Sequence, residues 1–143
     1  MKKILKNSKI FLAGHNGMVG SAILRKLTEK GYKKVIIRGK KQLNLIDQKK
    51  TYNFLKKIKP DLVILAAAKV GGVYVNSKNR DKFLFENLQI QNNVIHGSYL
   101  ANVKNLFFLG SSCIYPTKCK QPMKEQYLLG GPLDKTNEGY ALA

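Results

Sequence analysis

The sequence predicts an α/β protein built on a doubly wound parallel sheet, and three observations carry that prediction. Residues 9–13, Lys-Ile-Phe-Leu-Ala, read as a buried strand that runs directly into Gly14, Gly17 and Gly20 at spacing G-x-x-G-x-x-G. A helical stretch follows at residues 21–30, with Ile23, Leu24 and Leu27 on one side. Short continuous apolar runs at 35–37 and 62–65 then alternate with helical patterns, as strands of a parallel sheet covered on both faces do. Strand, glycine turn and helix together make a Rossmann-like first unit. Gly14 allows the tight turn, Gly17 leaves the backbone open to a pyrophosphate, and Gly20 lets the helix pack closely on the strand. A phosphate would sit on the unsatisfied N–H groups at the helix N-terminus.

The remaining elements follow in order. Gly31 is a natural helix stop. After the strand at 35–37, the place where an acidic residue would hold a ribose 2′-OH carries Arg38, Gly39, Lys40 and Lys41. A basic cluster attracts a 2′-phosphate, so NADP is favoured over NAD; the other reading is a set of solvated lysines in a lysine-rich chain. Asp47 is a plausible N-cap for a helix over 48–59, which Pro60 ends. Residues 61–68 form the third strand and its exit. Small Ala66, Ala67 and Ala68 suit either close packing or a cofactor lying over the strand end. Residues 69–73 are expected to be a flexible loop at the ligand-binding edge of the sheet. A long helix over 80–103 places Asn92, Asn93 and His96 among apolar positions, where buried polar groups need partners. A structural role is expected for His96 rather than ligation. Residues 106–110 are the fourth strand, ending in Ser111 and Ser112. A connection containing proline and glycine spans 116–137, and another helix starts at 136–140.

The 143 residues suit one ordinary domain. The formal net charge of +18 would by itself suggest a nucleic acid or another anionic surface. The lysines are scattered along the sequence without interleaved aromatics, however, and no nucleic-acid motif accompanies them, so no nucleic-acid partner is expected. No signal peptide and no membrane span are expected, and a cytoplasmic location with reduced thiols follows. Cys113, Cys119, His15 and His96 lack metal-ligand spacing, so no metal is expected.

The resulting βαβαβαβ order, with the segments GHNGMVGSAI (14–23), LAAAKVGGV (65–73), ENLQIQNNVIH (86–96), FLGSSCIYP (108–116) and TNEGYALA (136–143), resembles the extended short-chain dehydrogenase/reductases. Within them it is similar to the GDP-L-fucose synthase family. That resemblance implies NADPH-dependent 3,5-epimerisation and 4-reduction of GDP-4-keto-6-deoxy-D-mannose to GDP-L-fucose. It implies catalytic roles for Ser111 at the substrate oxygen, Cys113 in epimerisation and Tyr140 as proton donor. Gly14, His15, Asn16, Gly17, Met18, Val19 and Gly20 match the cofactor turn. Arg38, Lys40, Lys41, Gln42, Leu43, Asn44 and Leu45 match the segment after the second strand, Ala66 and Ala67 the third strand's exit, and Leu109, Gly110, Ser111 and Ser112 the nicotinamide side. The partner implied is a GDP-sugar, in a homodimer.

The departures from the family pattern are Asn16 and Lys40, where Arg is usual, and Gly139, where Pro is usual. The lysine four residues after Tyr140, the downstream histidine and the C-terminal substrate domain are absent. Residues 1–143 are therefore expected to be part of an N-terminal NAD(P)-binding domain, holding the first four strands and inactive alone. Three other readings stay open: another nucleotide-sugar epimerase or dehydratase, a non-catalytic nucleotide-binding module, and a basic nucleic-acid binder.

Overall fold

The computed structural model describes residues 3–143; Met1 and Lys2 lie outside the described residues. The chain forms two compact units. One comprises Met1–Ala68 with Gln89–Leu109, the other Lys69–Leu88 with Gly110–Ala143.

The first unit is a four-stranded, all-parallel sheet. Its strands are β1 (Lys9–Ala13), β2 (Lys34–Ile37), β3 (Leu62–Leu65) and β4 (Asn105–Phe108), in spatial order β2-β1-β3-β4. Helix α1 (Met18–Glu29) follows β1, and α2 (Gln48–Ile58) precedes β3. Strand side chains alternate between faces. Phe11, Ala13, Val63 and Leu65 therefore meet Leu55 of α2 and Val94 on one face. Ile10, Leu12 and Ile64 meet Ile23, Leu24 and Leu27 of α1 on the other. Burying a side chain of this size contributes about 1.5–3 kcal/mol before entropy is counted. The Rossmann-like arrangement of the sequence reading is thus present.

Asp47 caps α2 as expected: its Oδ1 accepts the Lys50 backbone N–H at 2.9 Å, and Lys50 Nζ lies 3.2 Å from Oδ2. These contacts, the backbone N–H foremost, hold the Asp47 carboxyl below the ordinary carboxylate range. Its contribution to stability is present above the unfolded carboxylate pKa and is lost as pH falls through the lowered folded value. Asp47→Ala is expected to lower the melting temperature near neutral pH and to flatten its decline on acidification. Circular-dichroism melts across the acid range check this; an unchanged pH dependence would contradict it.

Several boundaries differ from the sequence reading. Helix α1 begins at Met18, so Gly20 lies inside it. Helix α4 (Arg80–Leu100) stops three residues early, where Asn102 takes a left-handed backbone, φ 56°. His96 is not buried among apolar positions; it is exposed, with ring centroids 5.7 Å from Tyr52 and 6.0 Å from Tyr99. Of Asn92, Asn93 and His96 it is Asn93 that is buried, and its Nδ2 donates to the carbonyls of Leu45 and Ile46 at 2.9 and 3.0 Å.

In the second unit a further helix, α3 (Val73–Lys78), stands just after the expected flexible loop. The loop itself is pinned: Lys69 N–H donates to Asn87 Oδ1 at 2.6 Å, and Asn87 Nδ2 donates to the Lys69 carbonyl at 3.0 Å. Asn76 Nδ2 bonds the Gly71 carbonyl at 2.9 Å. One-turn 3₁₀ helices occupy Ser112–Ile114 and Glu125–Tyr127, and α5 (Glu138–Leu142) closes the unit.

Candidate functional site

The glycine turn is the best-defined feature of the first unit. Gly14 has φ 90°, a region that side chains rarely enter. A Cβ there would lie 2.5 Å from the Ala66 carbonyl oxygen and 2.6 Å from Ala67 N. The exits of β1 and β3 therefore touch backbone to backbone. Gly20 is buried, and a Cβ on it would run into the Gly14 carbonyl. Gly17 differs. It is exposed, its φ of −78° suits any residue, and a Cβ would sit at an ordinary 3.4 Å from Gly14 O. The fold demands glycine at 14 and 20 and makes no such demand at 17.

Gly17 is also the N-cap of α1 and offers no side-chain acceptor to the helix. Its N–H donates to Gly14 O at 3.0 Å, which closes the turn. The first turn of α1, Met18 to Gly20, carries no acidic residue, so the positive end of the helix dipole is uncompensated by its own side chains. Met18 is 87% exposed and Val19 48%. His15 is half-buried, and its Nδ1 is buried with no hydrogen-bond partner among the described residues.

Beyond β2, Arg38 is exposed; its guanidinium donates to the Ile37 carbonyl at 2.7 Å and lies 5.6 Å over the Phe54 ring. Lys40 and Lys41 are exposed. Asn16 Nδ2 comes within 4.0 Å of where a Cβ on Gly39 would be, so the turn and the basic segment adjoin. Gln42 Oε1 accepts the Gly39 N–H at 3.1 Å and Asn44 Oδ1 the Ile46 N–H at 3.3 Å, which shapes this segment. The Leu43 side chain is buried in the core and the Leu45 side chain packs against it, so neither faces a ligand. Ala66 and Ala67 are half-buried, and Leu109 N–H reaches the Leu65 carbonyl at 3.2 Å.

The second unit carries the other candidates. Ser111 Oγ accepts the Cys113 N–H at 3.2 Å and caps the 3₁₀ turn, while Gly110 and Ser112 are exposed. Helix α5, which holds Tyr140, packs against that turn. Asn137 Nδ2 donates to Cys113 Sγ at 3.4 Å and ties the start of α5 to the thiol. Upstream of it, Asp134 is held below the ordinary carboxylate range, chiefly by the Thr136 hydroxyl at 2.5 Å and then by the Thr136 N–H. Gly139 is buried, and a Cβ on it would collide with the Arg80 carbonyl, which accounts physically for glycine before Tyr140.

Asn137, Asn87 and Lys69 were missed as candidates. Their signal was their place inside TNEGY, ENLQ and AAAKVGG, but hydrogen bonds across 18 residues, for Asn87 and Lys69, and across 24, for Asn137, have no local pattern. The Lys69 ammonium is placed by Glu86 at 2.8 Å and lies 5.6 Å over the Phe83 ring. Asn87→Ala would leave the Lys69 N–H and carbonyl without their partner. Protection of the Lys69 amide from hydrogen exchange is expected to fall about tenfold or more, the equivalent of one lost buried hydrogen bond. Unchanged protection would show that the clamp does not hold the loop.

Among the described residues no helix is long and apolar enough to cross a membrane. No group of three or more His, Cys, Asp or Glu among them is placed to hold a metal ion.

The sequence model of one protein family, described as the NAD dependent epimerase/dehydratase family, matches residues 10–143. A putative GDP-L-fucose synthase 2 of Arabidopsis thaliana is 52% identical over 96% of this chain and 42% of its own length. The GDP-L-fucose synthase of Escherichia coli is 45% identical over 97% of this chain and 43% of its own length. The chain thus spans less than half the length of these curated relatives. Among solved structures, MlghC, a GDP-mannoheptose C4 reductase of Campylobacter jejuni with NADP bound, superposes with a TM-score of 0.93 at 40% identity. That match covers 97% of this chain and 44% of MlghC.

Proposed function

This chain belongs to the NAD dependent epimerase/dehydratase family, and we propose that it is the NADP-binding portion of a GDP-L-fucose synthase. In that reading residues 1–143 are part of an N-terminal cofactor domain. The substrate domain would lie in the part of the relatives' length that this chain does not span. The single observation that carries the reading is the turn from Gly14 to Gly20. Two of its glycines answer to the fold, the third leaves a backbone surface open, and the helix behind it lacks a side-chain cap.

The residues present fit a dinucleotide. The N–H groups of Met18, Val19 and Gly20 would hold the pyrophosphate. Arg38, Lys40 and Lys41 would attract the 2′-phosphate, with Asn16 beside them. When bound, the reduced cofactor supplies the hydride for a C4 ketone. The chain's own groups have separate tasks. Ser111 would donate a hydrogen bond to the substrate oxygen, and Tyr140 would deliver the proton there. Cys113, oriented by Asn137, would exchange protons on the carbons beside the carbonyl. The longer enzyme would be a cytoplasmic homodimer acting on GDP-4-keto-6-deoxy-D-mannose.

A second reading, a reductase of another GDP-4-keto sugar such as a heptose, has support from the likeness to MlghC. Both are tested by supplying the longer enzyme, in which residues 1–143 are joined to a substrate domain, with NADPH and each GDP-keto-sugar in turn. Formation of GDP-L-fucose supports the first reading. Reduction of the heptose substrate alone supports the second, and no turnover or cofactor binding with either sinks both.

A further inference from the structure

The lysines that look scattered along the sequence are gathered by the sheet. Parallel strands start at one end, and here that end is lined with ammonium groups. Lys9 opens β1 and Lys34 opens β2, and the two are direct register partners. Lys33 precedes Lys34, and its N–H bonds the Lys6 carbonyl at 3.1 Å. On the other side of β1, Lys9 Nζ donates to the Ile58 carbonyl at 3.1 Å, beside Lys59 at the end of α2. Asn105 bonds the Asp61 carbonyl at 3.2 Å as β4 begins, which places Lys104 at the same end. All six lysines, Lys6, Lys9, Lys33, Lys34, Lys59 and Lys104, are exposed and belong to one unit.

The row crosses from β2 to β4. At the usual strand spacing of about 4.8 Å the strand starts span roughly 15 Å, with Lys6 reaching the α1 side of the sheet and Lys9 the α2 side. Asp61 stands within it, its carboxylate accepting the Lys9 N–H at 2.9 Å. Nearby Glu29 is paired with Lys26 at 3.0 Å. Helix C-termini attract cations, and Lys6 and Lys9 do reach the carbonyls of Lys30 and Ile58. That role leaves the ammonium groups of Lys33, Lys34, Lys59 and Lys104 to be explained.

We infer that this lysine row is a second anion-binding surface, which takes the phosphate backbone of a nucleic acid without reading its sequence. Cations that reach both sides of a sheet end fit a phosphate backbone that can pass around it better than a planar lipid surface. The row lies at the opposite end of β1 from the glycine turn, about 13 Å away along the strand, so dinucleotide and polyanion would not compete. This departs from the expectation drawn from the sequence alone, and it does not depend on the enzymatic reading.

The test uses the full chain and a fluorescein-labelled duplex DNA of about 20 base pairs, with polarisation read across a salt series. Six phosphate contacts would give a slope of log affinity on log salt near −5. The row variant Lys33→Gln/Lys34→Gln/Lys59→Gln/Lys104→Gln is expected to flatten the slope to about −2 and to weaken binding at least 100-fold at low salt. The control Lys49→Gln/Lys78→Gln/Lys118→Gln/Lys124→Gln removes the same charge elsewhere and is expected to keep the steep slope. Arginine at the four row positions is expected to restore binding, and added NADP to leave it unchanged. The inference is overturned if the duplex is not bound at low salt, if row and control variants weaken binding equally, or if only phosphatidylserine vesicles are bound.

Discussion

Gly14→Ala is expected to cost the protein both stability and cofactor, whereas Gly17→Ala costs the cofactor alone. At Gly14 the added methyl meets two penalties. A side chain at φ 90° is strained by roughly 1–2 kcal/mol. The Cβ would also lie 2.5 Å from the Ala66 carbonyl oxygen, forcing the exits of β1 and β3 apart, an overpacking of about 1–3 kcal/mol. The melting temperature should fall by roughly 10 °C or more, at about 4 °C per kcal/mol for a chain of this length. At Gly17 the backbone suits alanine and the nearest atom is 3.4 Å away. Stability should change by no more than about 0.5 kcal/mol. If a pyrophosphate approaches that backbone, affinity for NADPH should still drop about tenfold or more. Thermal melts and fluorescence titrations on the two variants separate these effects. Unaltered NADPH affinity in Gly17→Ala would mean that the ligand sits elsewhere.

Phe11→Ala is expected to have the largest effect on folding. Phe11 is 1% exposed in the middle of β1, flanked by β2 and β3, and meets the Phe54 ring edge-on at 4.9 Å. Removing a buried phenyl ring costs about 3–5 kcal/mol. A domain's whole stability is about 5–15 kcal/mol. The melting temperature should fall by roughly 12–20 °C, or the variant should not accumulate as folded protein. A loss of less than about 1 kcal/mol would show that the core is not centred on this ring.

The pattern of strands and helices was readable because its signals are local. Each strand is a short apolar run, α2 has its Asp47 cap and Pro60 stop, and the glycines at 14 and 20 answer to contacts within one βα unit. Helix α3 was not readable: Val73, Tyr74 and Val75 are all exposed and give no helical stripe, and the segment rests on the Asn76 bond to Gly71. His96 was misplaced because α4 carries apolar residues all round. Ile95 and Tyr99 among them are exposed at 40% and 74%, so composition does not reveal which side is covered. The candidate site was legible where motif and turn coincide, at residues 14–20, and less so at 43–45, where Leu43 belongs to the core. The tie from Asn137 to Cys113 and the lysine row share one cause. Both join residues far apart in sequence, by a long-range hydrogen bond or by strand register, and neither exists before the chain folds.

A dinucleotide site built from the glycine turn and the basic segment after β2 can be seen residue by residue by NMR. The ¹⁵N-labelled chain would be titrated with NADPH and, separately, with NADH. The amide resonances of Gly14, Gly17, Met18, Val19 and Gly20 should move with both ligands. Those of Arg38, Gly39, Lys40 and Lys41 should move with NADPH and scarcely with NADH, which should bind more weakly. Resonances in residues 14–20 that stay fixed at saturating NADPH, or shifts confined to other parts of the chain, would contradict it.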